Sequence, residues 1–459
     1  MMHAATRRQR PPHPALQATV SSRCRAAVLH VLLASVATVA AAEDWPGWRG
    51  PRGDGTSLEA DPPLRWAVGR DGTPDENIRW RVPVPGLGHA SPIVVGQRVF
   101  VASCDADTQE RLLVCLDADT GRTLWRQTVI RSPLEIKHKL NSHASSTPAS
   151  DGRLVFVAFW ETSDKRVPAR NMPVDRDASF GPMVVAAYDL DGRQQWLVRP
   201  GDFASIHGFC SCPVVCDDTV ILNGDHDGDG YVVALDRATG ATRWKVARDH
   251  NTRSYCTPII RTFAGRRQLI LSGSRHVASY DPATGREWWR VEGPTEQFVA
   301  SMVDDGRLVF LTAGFPDKLV AAIDPTGSGD VTATHVRWRS PRNCGYVPAP
   351  IMAGDRLLLT SDDGVASCLD PATGRRLWTA RAAGHYSGSP VLAGGLVYFT
   401  DDVGVTKVVR PGPSFDVVAE NDLREECYTS PAVSGGRIFF RTVGHLVCVG
   451  AAAPAGPQP

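Results

Sequence analysis

The sequence predicts an all-β protein, an eight-bladed β-propeller of four-stranded antiparallel blades whose ring is closed by an N-terminal strand. Three observations predict it: a recurring hairpin motif, a recurring proline before a short strand, and incomplete repeats that complement each other. The hairpin unit is Ala234–Trp244 (ALDRATGATRW), and related copies stand at Cys115–Trp125, Ser279–Trp289 and Cys368–Trp378. A period of about 40–45 residues is typical of propeller blades.

Each copy has a short apolar strand, an Asp, two residues, Thr-Gly, three residues and a Trp. The Asp carboxylate is suited to accept from turn N–H groups, and Gly supplies a positive φ. We expect the Trp on the following strand to bury its ring, about 150–250 Å², against a neighbouring repeat. These predicted docking tryptophans are Trp80, Trp125, Trp196, Trp244, Trp289, Trp338 and Trp378.

Each repeat opens with a small residue and a proline, which mark the first strand of a blade. These pairs are Ser91-Pro92, Thr147-Pro148, Cys212-Pro213, Thr257-Pro258, Ala349-Pro350, Ser389-Pro390 and Ser430-Pro431, with Ser301-Met302 as the deviant. Second strands are predicted at 98–101, 154–158, 219–222, 268–271, 308–312, 356–360, 396–400 and 437–441. Blade 2 has a shortened turn, blade 5 a lengthened one, and blade 7 lacks the Thr-Gly-Trp pattern.

The two ends of the repeat region are each incomplete. Asn77–Val84 is a Trp-bearing strand without preceding strands, whereas Thr429–Val433, Arg437–Arg441 and His445–Val449 are three strands without a Trp strand. Pairing the N-terminal strand with the last repeat would remove exposed sheet edges. We therefore predict a propeller over residues 77–450, an irregular arm over 43–76 and a disordered tail over 451–459.

Residues 1–42 have a different composition from the rest. Five arginines and no acid accompany the apolar run Ala26–Val39, which ends in Ala40-Ala41-Ala42. This pattern predicts a signal peptide, and hence a periplasmic or extracellular protein without a stable membrane span. Retention of the segment as an anchor is the alternative. The remaining chain has 45 basic and 49 acidic residues, which gives no reason to expect a nucleic-acid partner.

Ten cysteines follow Cys24, yet few are placed for disulfides. Cys115, Cys368 and Cys448 occupy the strand position that Ala234 and Ser279 fill in other repeats, and Cys212 replaces a Ser or Thr. In such positions Cys acts as a small buried apolar residue. One bridge, from Cys104 to Cys115 across a hairpin, is left open by the sequence.

The A-x-D-x-x-T-G-x-x-x-W repeat resembles the tryptophan-docking motif of the pyrroloquinoline-quinone (PQQ) repeat propellers. That superfamily includes quinoprotein alcohol dehydrogenases and the non-enzymatic outer-membrane assembly protein BamB. The opening DWPGWRGP, with His207–Val214 and Asn251–Pro258, resembles exported propellers of planctomycete-type bacteria.

In the dehydrogenases of this superfamily, the resemblance implies PQQ held between a Trp and a ring of two adjacent, disulfide-linked cysteines, with Ca²⁺ and an Asp base. This sequence contains no Cys-Cys pair, because Ser211 separates Cys210 from Cys212. Neither the Ca²⁺ ligands nor the Asp base can be placed on matching motifs. The sequence therefore disfavours PQQ, and no cofactor is predicted.

The loops that enter the first strands should crowd one mouth of the channel. They carry His89, His138, His143, His207, His250, His385, Arg253, Tyr255, Arg342, Tyr346, Tyr386, Glu425 and Glu426. We take His89, His143, His207, Arg253, Tyr255, Tyr346, His385 and Glu426 as a candidate ligand site, since converging polar groups at a mouth favour a site. A solvated polar rim is the alternative.

Residues Asp225–Gly230 (DHDGDG) match the start of a calcium-loop pattern, which makes Asp225, Asp227 and Asp229 candidate Ca²⁺ ligands. The same stretch lies between two predicted strands, and Asp236 already serves as a hairpin Asp. A polar β-turn is the competing interpretation.

The expected function is that of an exported, monomeric binding or scaffold module for a cell-envelope protein or polysaccharide. The alternative is a PQQ-dependent alcohol or sugar dehydrogenase. No nucleophile elbow, P-loop, HExxH or GxGxxG motif supports another enzyme class.

Overall fold

The computed structural model describes residues 43–70, 73–170, 175–293, 295–342 and 344–451. The predicted leader, residues 1–42, and residues 452–459 of the predicted tail lie outside the described residues. Within the described ranges, eight sheets form the blades of a propeller, and the single helical element is a short 3-10 turn, Asp249–Asn251. No helix in this part of the chain is long and apolar enough to cross a membrane.

Blades 1 to 4 follow each other along the chain. The strands of blade 1 are Ile93–Val95, Arg98–Asp105, Glu110–Asp117 and Thr123–Arg131. Those of blade 2 are Ala149–Ser150, Leu154–Trp160, Asp177–Asp189 and Gln194–Ser205, with Arg166–Pro168 paired to the third. Blade 3 has Val214–Cys216, Thr219–Gly224, Tyr231–Asp236 and Thr242–Ala247, and blade 4 has Ile259–Phe263, Arg266–Gly273, His276–Tyr280 and Glu287–Glu292.

Blades 5 to 8 complete the ring. Blade 5 contains Val303–Asp304, Val309–Ala313, Leu319–Ile323 and Val336–Ser340, and blade 6 contains Ile351–Ala353, Arg356–Thr360, Val365–Leu369 and Arg376–Arg381. Blade 7 contains Val391–Ala393, Leu396–Thr400, Val405–Arg410 and Asp416–Asp422. Blade 8 contains Ala432–Ser434, Arg437–Arg441 and His445–Val449, with Ile78–Pro83 as its fourth strand.

The hairpin motif joins each blade to the next. In blade 3, Asp236 Oδ1 accepts from the amides of Ala238 and Thr239 and from the Thr239 hydroxyl, at 2.8–3.0 Å. The indole of Trp196, from blade 2, donates to the carbonyl of Arg237 at 3.1 Å and covers Gly240, where a Cβ would lie 2.8 Å from the ring. Gly240 has a φ of 75°. The turn therefore needs glycine both for its backbone and for the indole it supports.

The same donor relationship links Trp80 to Ala118, Trp125 to Leu190, Trp244 to Pro282, Trp338 to Pro371 and Trp378 to Gly412. Within its own blade, each motif Trp pairs across strands with a small residue: Trp125 with Cys115, Trp244 with Ala234, Trp378 with Cys368. Small side chains fill this position because a larger one would compete with the indole for space. Burial of the rings is less than complete, since Trp125, Trp338 and Trp378 are only partly buried.

Trp289 is the one motif tryptophan that does not donate to the next hairpin, and the lengthened turn of blade 5 explains why. Its residues Gly329–Asp330 pair in parallel with the outer strand of blade 4, opposite Trp289 and Arg290. Trp289 is fully buried there, and its indole donates to Gln268 Oε1 at 2.7 Å rather than to the next hairpin.

The N-terminal strand closes the ring as predicted. Ile78–Pro83 pairs antiparallel with His445–Val449, and Trp80 lies opposite Cys448. A belt of bonds between residues that precede the first strands continues across this junction. The Ser389 amide donates to the Ser430 hydroxyl at 2.8 Å between blades 7 and 8, and the Ser430 amide donates to the Ser91 hydroxyl at 3.1 Å between blades 8 and 1. In the belt, Cys212 Sγ accepts from the Thr147 amide at 3.3 Å, so Cys212 is a hydrogen-bond acceptor as well as an apolar filler.

The segment before the closing strand, beginning at residue 43, is irregular, and it packs against the ring. Trp45 is 1% exposed and its backbone bridges to Val94 of blade 1. The next residues enter the channel: the Trp48 indole donates to Ser301 Oγ at 2.9 Å, and the Arg49 guanidinium donates to the carbonyl of Pro350 at 2.7 Å.

All ten cysteines in the described chain are free thiols. The bridge between Cys104 and Cys115 that the sequence left open does not form, because their strands pair in a different register. Cys104 lies opposite Arg111, and Cys115 lies opposite Phe100.

Candidate functional site

The candidate site lies at the end of the channel where each blade's first strand begins. Because strands within a blade are antiparallel, the loop after each second strand reaches this same end. The bridge between Leu87, before the first strand of blade 1, and Cys104, at the end of its second strand, shows this arrangement. We call this end the mouth.

The mouth opens into a cavity of about 770 Å³. Its residues fall into an aromatic group, a histidine group, a polar group and an aliphatic group. It is lined by Trp48, Tyr255, Phe315, Tyr346 and Tyr428, by His89, His138, His207 and His385, and by Asn141, Ser145, Cys210, Cys212, Thr257, Glu296, Gln297, Ser301, Asp362 and Ser387, with Leu140, Val299, Pro316 and Val347. We call it the mouth cavity.

Trp48 also lines a second cavity, of about 520 Å³, on the arm side of the channel. Thr257 and Ser301 line both cavities as well. The arm thus separates the two spaces through Trp48, and its hydrogen bond to Ser301 fixes the indole in the channel.

His89 stands on the blade 8 side of the mouth. Its ring centroid lies 4.8 Å from that of Tyr428, and its backbone amide donates to Ser142 Oγ at 2.9 Å. Burial lowers the pKa of His89 from 6.5 to about 4, with further lowering by Lys137 and Arg441. The imidazole is therefore neutral at pH 7.

His207 lies in the loop between blades 2 and 3. Its carbonyl accepts from the His138 amide at 3.1 Å and from Asn141 Nδ2 at 2.7 Å, which ties the blade 1–2 loop to the blade 2–3 loop. Burial and the nearby Arg253 lower the pKa of His207 to about 4, and burial lowers that of His138. These two rings are consequently uncharged at neutral pH.

Tyr346 is held rigidly at the wall. Its hydroxyl donates to Gln297 Oε1 at 3.2 Å, and its amide donates to Asp362 Oδ2 at 3.0 Å. Its ring lies over Gly314, where any Cβ would collide with it. Burial raises the pKa of Tyr346 to about 12, so it remains a hydroxyl donor.

His385 is oriented by a carboxylate. Its Nδ1 lies 2.6 Å from Asp402 Oδ2, and Ser387 binds the same carboxylate through its amide and its hydroxyl at 2.7 and 2.9 Å. The pair fixes the ring of His385 at the edge of the mouth cavity.

Five of the eight predicted mouth residues line the cavity: His89, His207, Tyr255, Tyr346 and His385. The other three do not. His143 contacts the buried Glu135 at 3.0 Å, and the side chain of Arg253 is fully buried beside Asp227 at 2.8 Å. Glu426 is exposed outside the lining. Two of these side chains face carboxylates in neighbouring loops and the third faces solvent. The distance of a residue from its strand proline in the sequence does not predict in which direction its side chain points.

The three aspartates of the predicted calcium loop each face a different arginine. Asp225 pairs with Arg248 at 3.0 Å, Asp227 with Arg253 at 2.8 Å, and the exposed Asp229 with Arg170 at 2.8 Å. Burial raises the pKa of Asp227 to about 6. Across the described ranges, no three His, Cys, Asp or Glu side chains are grouped to hold a metal ion.

Several cavity residues were not predicted. The sequence places Trp48 only in an irregular arm, and it predicts neither Asp362, which lines the cavity, nor Asp402, which orients the lining residue His385. The aspartates follow second strands in the similar stretches Ser361-Asp362-Asp363-Gly364 and Asp401-Asp402-Val403-Gly404. Because neighbouring strands of a blade are antiparallel, the loop after each second strand must lie at the mouth, and both aspartates could have been predicted there on that ground.

Comparison with known proteins places this geometry in a family. Residues 71–255, 228–341 and 316–410 match the PQQ_2 family described as "Outer membrane protein assembly factor BamB". Together these matches span most of the chain. The chain belongs to this family. No curated protein matches the sequence.

Many solved structures have a similar fold, and three of them illustrate the range. BamB from Moraxella catarrhalis is 14% identical with a TM-score of 0.55, over 83% of this chain and 99% of its own. A europium-containing methanol dehydrogenase is 13% identical with a TM-score of 0.57, over 88% and 90%. Quinohemoprotein alcohol dehydrogenase from Comamonas testosteroni is 12% identical with a TM-score of 0.59, over 91% and 82%. At such identities the likeness shows the fold alone.

The mouth cavity does not fit PQQ, the cofactor that the dehydrogenase resemblance would imply. PQQ carries three carboxylates, yet no Lys or Arg is among the described lining residues. The lining histidines His89 and His207 are neutral at pH 7, as shown above. The lining carboxylates, Glu296 and Asp362, offer no positive charge to an anion, and each is paired with a cation outside the lining, Glu296 with Arg275 at 2.8 Å and Asp362 with Lys318 at 3.7 Å.

Proposed function

We propose that the protein is an exported, non-catalytic binding module that receives a segment of a cell-envelope partner in the mouth cavity. The observation that carries the proposal is the cavity itself, about 770 Å³ with an aromatic wall and a base formed by Trp48. Concave sites with aromatic walls and a few fixed polar groups are the usual form of a binding pocket. The leader-like composition of residues 1–42 supports export.

The surroundings of the cavity support a protein partner over a polysaccharide. Leu140 and Phe315 line it and are 39% and 50% exposed. Leu87, Ile136 and Val403, in the surrounding loops, are 56%, 38% and 62% exposed. A cluster of exposed apolar side chains around a concavity marks a protein interaction site.

Site-specific photocrosslinking in the native host tests the proposal. A photoreactive amino acid at Phe315 should label one envelope protein, whereas the same group at Leu58, which is 77% exposed in the arm, should not. A Val299→Arg substitution, which places a charge in the cavity, should abolish the product from position 315. Equal labelling from both positions, or a product that survives Val299→Arg, would contradict the proposal.

A second experiment addresses the non-catalytic part of the proposal. The purified protein is incubated with PQQ and Ca²⁺ and assayed with an artificial electron acceptor across alcohols and aldose sugars. We expect no turnover above a heat-denatured control and no PQQ retained through gel filtration. Sustained turnover with stoichiometric PQQ would show that the protein is a dehydrogenase.

A further inference from the structure

One part of the wall of the mouth cavity combines two carboxylates with two aromatic rings. The carbonyl of Phe315 accepts from the backbone amides of Glu296 and Gln297 at 3.1 and 3.0 Å. The hydroxyl of Tyr346 donates to Gln297 Oε1 at 3.2 Å, and the amide of Tyr346 donates to Asp362 Oδ2 at 3.0 Å. These bonds connect residues that all line the cavity. We call Glu296, Phe315, Tyr346 and Asp362 the acidic wall.

The counter-ions of the two carboxylates lie outside the lining. Arg275 Nη2 donates to Glu296 Oε1 at 2.8 Å, and no group in the described part of the chain donates a hydrogen bond to Glu296 Oε2. Lys318 Nζ lies 3.7 Å from Asp362 Oδ2. The side chains of Arg275 and Lys318 are 39% and 50% exposed, and contact with water weakens such ion pairs. The carboxylates therefore border the cavity while their cations are partly solvated.

The rest of the described lining contains no Lys or Arg. Lys137 and Lys139 belong to the loop between blades 1 and 2 and are not among the lining residues. Burial lowers the pKa of the lining residues His89 and His207 to about 4, so both rings are neutral at pH 7. A cation that enters the cavity thus meets no permanently positive side chain in the described lining.

The aromatic rings of the acidic wall also favour a cation. Phe315 is 50% exposed, so a face of its ring is open to a ligand. The faces of aromatic rings carry negative charge density and attract guanidinium and ammonium groups. An aliphatic side chain could contact the rings, but it would displace water from Glu296 and Asp362 without replacing the lost hydrogen bonds. A cationic side chain both contacts the rings and supplies donors to the carboxylates.

We propose that the acidic wall binds an arginine or lysine side chain of the partner segment that enters the mouth cavity, an inference that rests on the proposed function. The cationic group donates hydrogen bonds to Glu296 and Asp362 and lies against the rings of Phe315 and Tyr346. The acidic wall therefore selects a basic segment over an acidic or uncharged one.

Short peptides test this charge preference on the full-length protein. The probes are acetylated, amidated Gly-Arg-Gly and Gly-Lys-Gly, together with their uncharged counterparts, which contain citrulline and acetyl-lysine. Dissociation constants are measured by titration with saturation-transfer NMR. We expect at least one charged peptide to bind about fivefold more tightly than its uncharged counterpart. Equal affinities, or no saturable binding of either charged peptide, would overturn the proposal.

Matched variants assign the preference to the acidic wall. Glu296→Gln and Phe315→Leu should each reduce it to about twofold or less, because one removes a carboxylate and the other an aromatic ring. Glu287→Gln is the control: Glu287 begins the outer strand of blade 4, at the end opposite the mouth, and pairs with Arg290 at 2.7 Å. Circular dichroism establishes which variants are folded, and either wall variant alone suffices. A full preference in a folded wall variant would overturn the proposal.

The peptide experiment and the photocrosslinking experiment fail separately. If charge plays no part, the peptides bind equally well and a specific crosslink from position 315 is still obtained. If no partner segment enters the cavity, the crosslink is absent, whereas the preference for charged peptides remains measurable on the purified protein.

Discussion

The backbone amide of Ser430 donates a hydrogen bond of 3.1 Å to the hydroxyl of Ser91, and this bond joins the last blade to the first. It lies on the inner side of the junction that Ile78–Pro83 closes on the outer side by pairing with His445–Val449. The ring is thus closed in two places, near the channel by the hydrogen-bonded belt and at the outer side of blade 8 by the pairing of its two terminal strands.

Deletion of residues 43–84 should destabilise the whole protein, because it removes the fourth strand of blade 8 and exposes a sheet edge. We expect a large fall in the midpoint of thermal unfolding and loss of a single cooperative transition. Deletion of residues 452–459 is the control and should leave the midpoint unchanged. A truncated protein that melts like the full chain would show that the closing strand is dispensable.

Gly285→Ala should be more destabilising than Gly265→Ala. Both glycines have a similar positive φ, 74° and 77°, so the backbone cost of about 1–2 kcal/mol is shared. A Cβ at Gly285 would lie 2.7 Å from the Trp244 ring, whereas one at Gly265 meets nothing within 4 Å. Overpacking should add about 1–3 kcal/mol at Gly285. Equal losses in urea unfolding would refute the docking role of the glycine.

The stability of the protein should fall as the pH drops from 6.5 toward 4. The folded-state pKa of His89 is about 4 against 6.5 ordinarily, so in this interval the unfolded chain binds more protons than the folded chain. At pH 4 this difference in proton binding at His89 lowers the free energy of unfolding by about 3 kcal/mol. His89→Gln should therefore flatten the curve of unfolding free energy against pH. An unchanged slope would mean that His89 protonates as freely in the folded protein as in the unfolded one.

Calcium should not raise the unfolding midpoint. Each carboxylate of the Asp225–Gly230 loop already neutralises an arginine, and Asp225 and Asp227 are buried with theirs. Calcium binding would have to break these ion pairs and leave two arginines buried without a counter-ion. We expect this cost to exceed the free energy gained from the new calcium–carboxylate contacts. Differential scanning fluorimetry with millimolar CaCl₂ checks this. A saturable increase that disappears in Asp229→Ala, an exposed position, would establish a calcium loop.

The sequence was informative where a feature repeats and uninformative where it occurs once. The positions of Trp196 and Gly240 could be predicted because each blade restates the same local hairpin, and the small residues opposite each Trp follow from the same register. Trp48 could not be placed, since the arm has no period and its partner, Ser301, lies in a distant blade. Likewise, His143 and Arg253 share the mouth loops with His207, but their partners Glu135 and Asp227 direct them away from the cavity.

The pairing of Ile78–Pro83 with His445–Val449 also has a consequence for biogenesis. The strand that leaves the ribosome first acquires its partner only when the far end of the propeller has been made. Bringing such distant segments together costs about 3 kcal/mol more chain entropy than closing a ten-residue turn. During synthesis, therefore, Ile78–Pro83 remains without its partner strand until blade 8 has been made, and its edge is exposed in that interval. Translation rate and chaperone supply should accordingly govern the yield of native protein more strongly than the stability of any one blade.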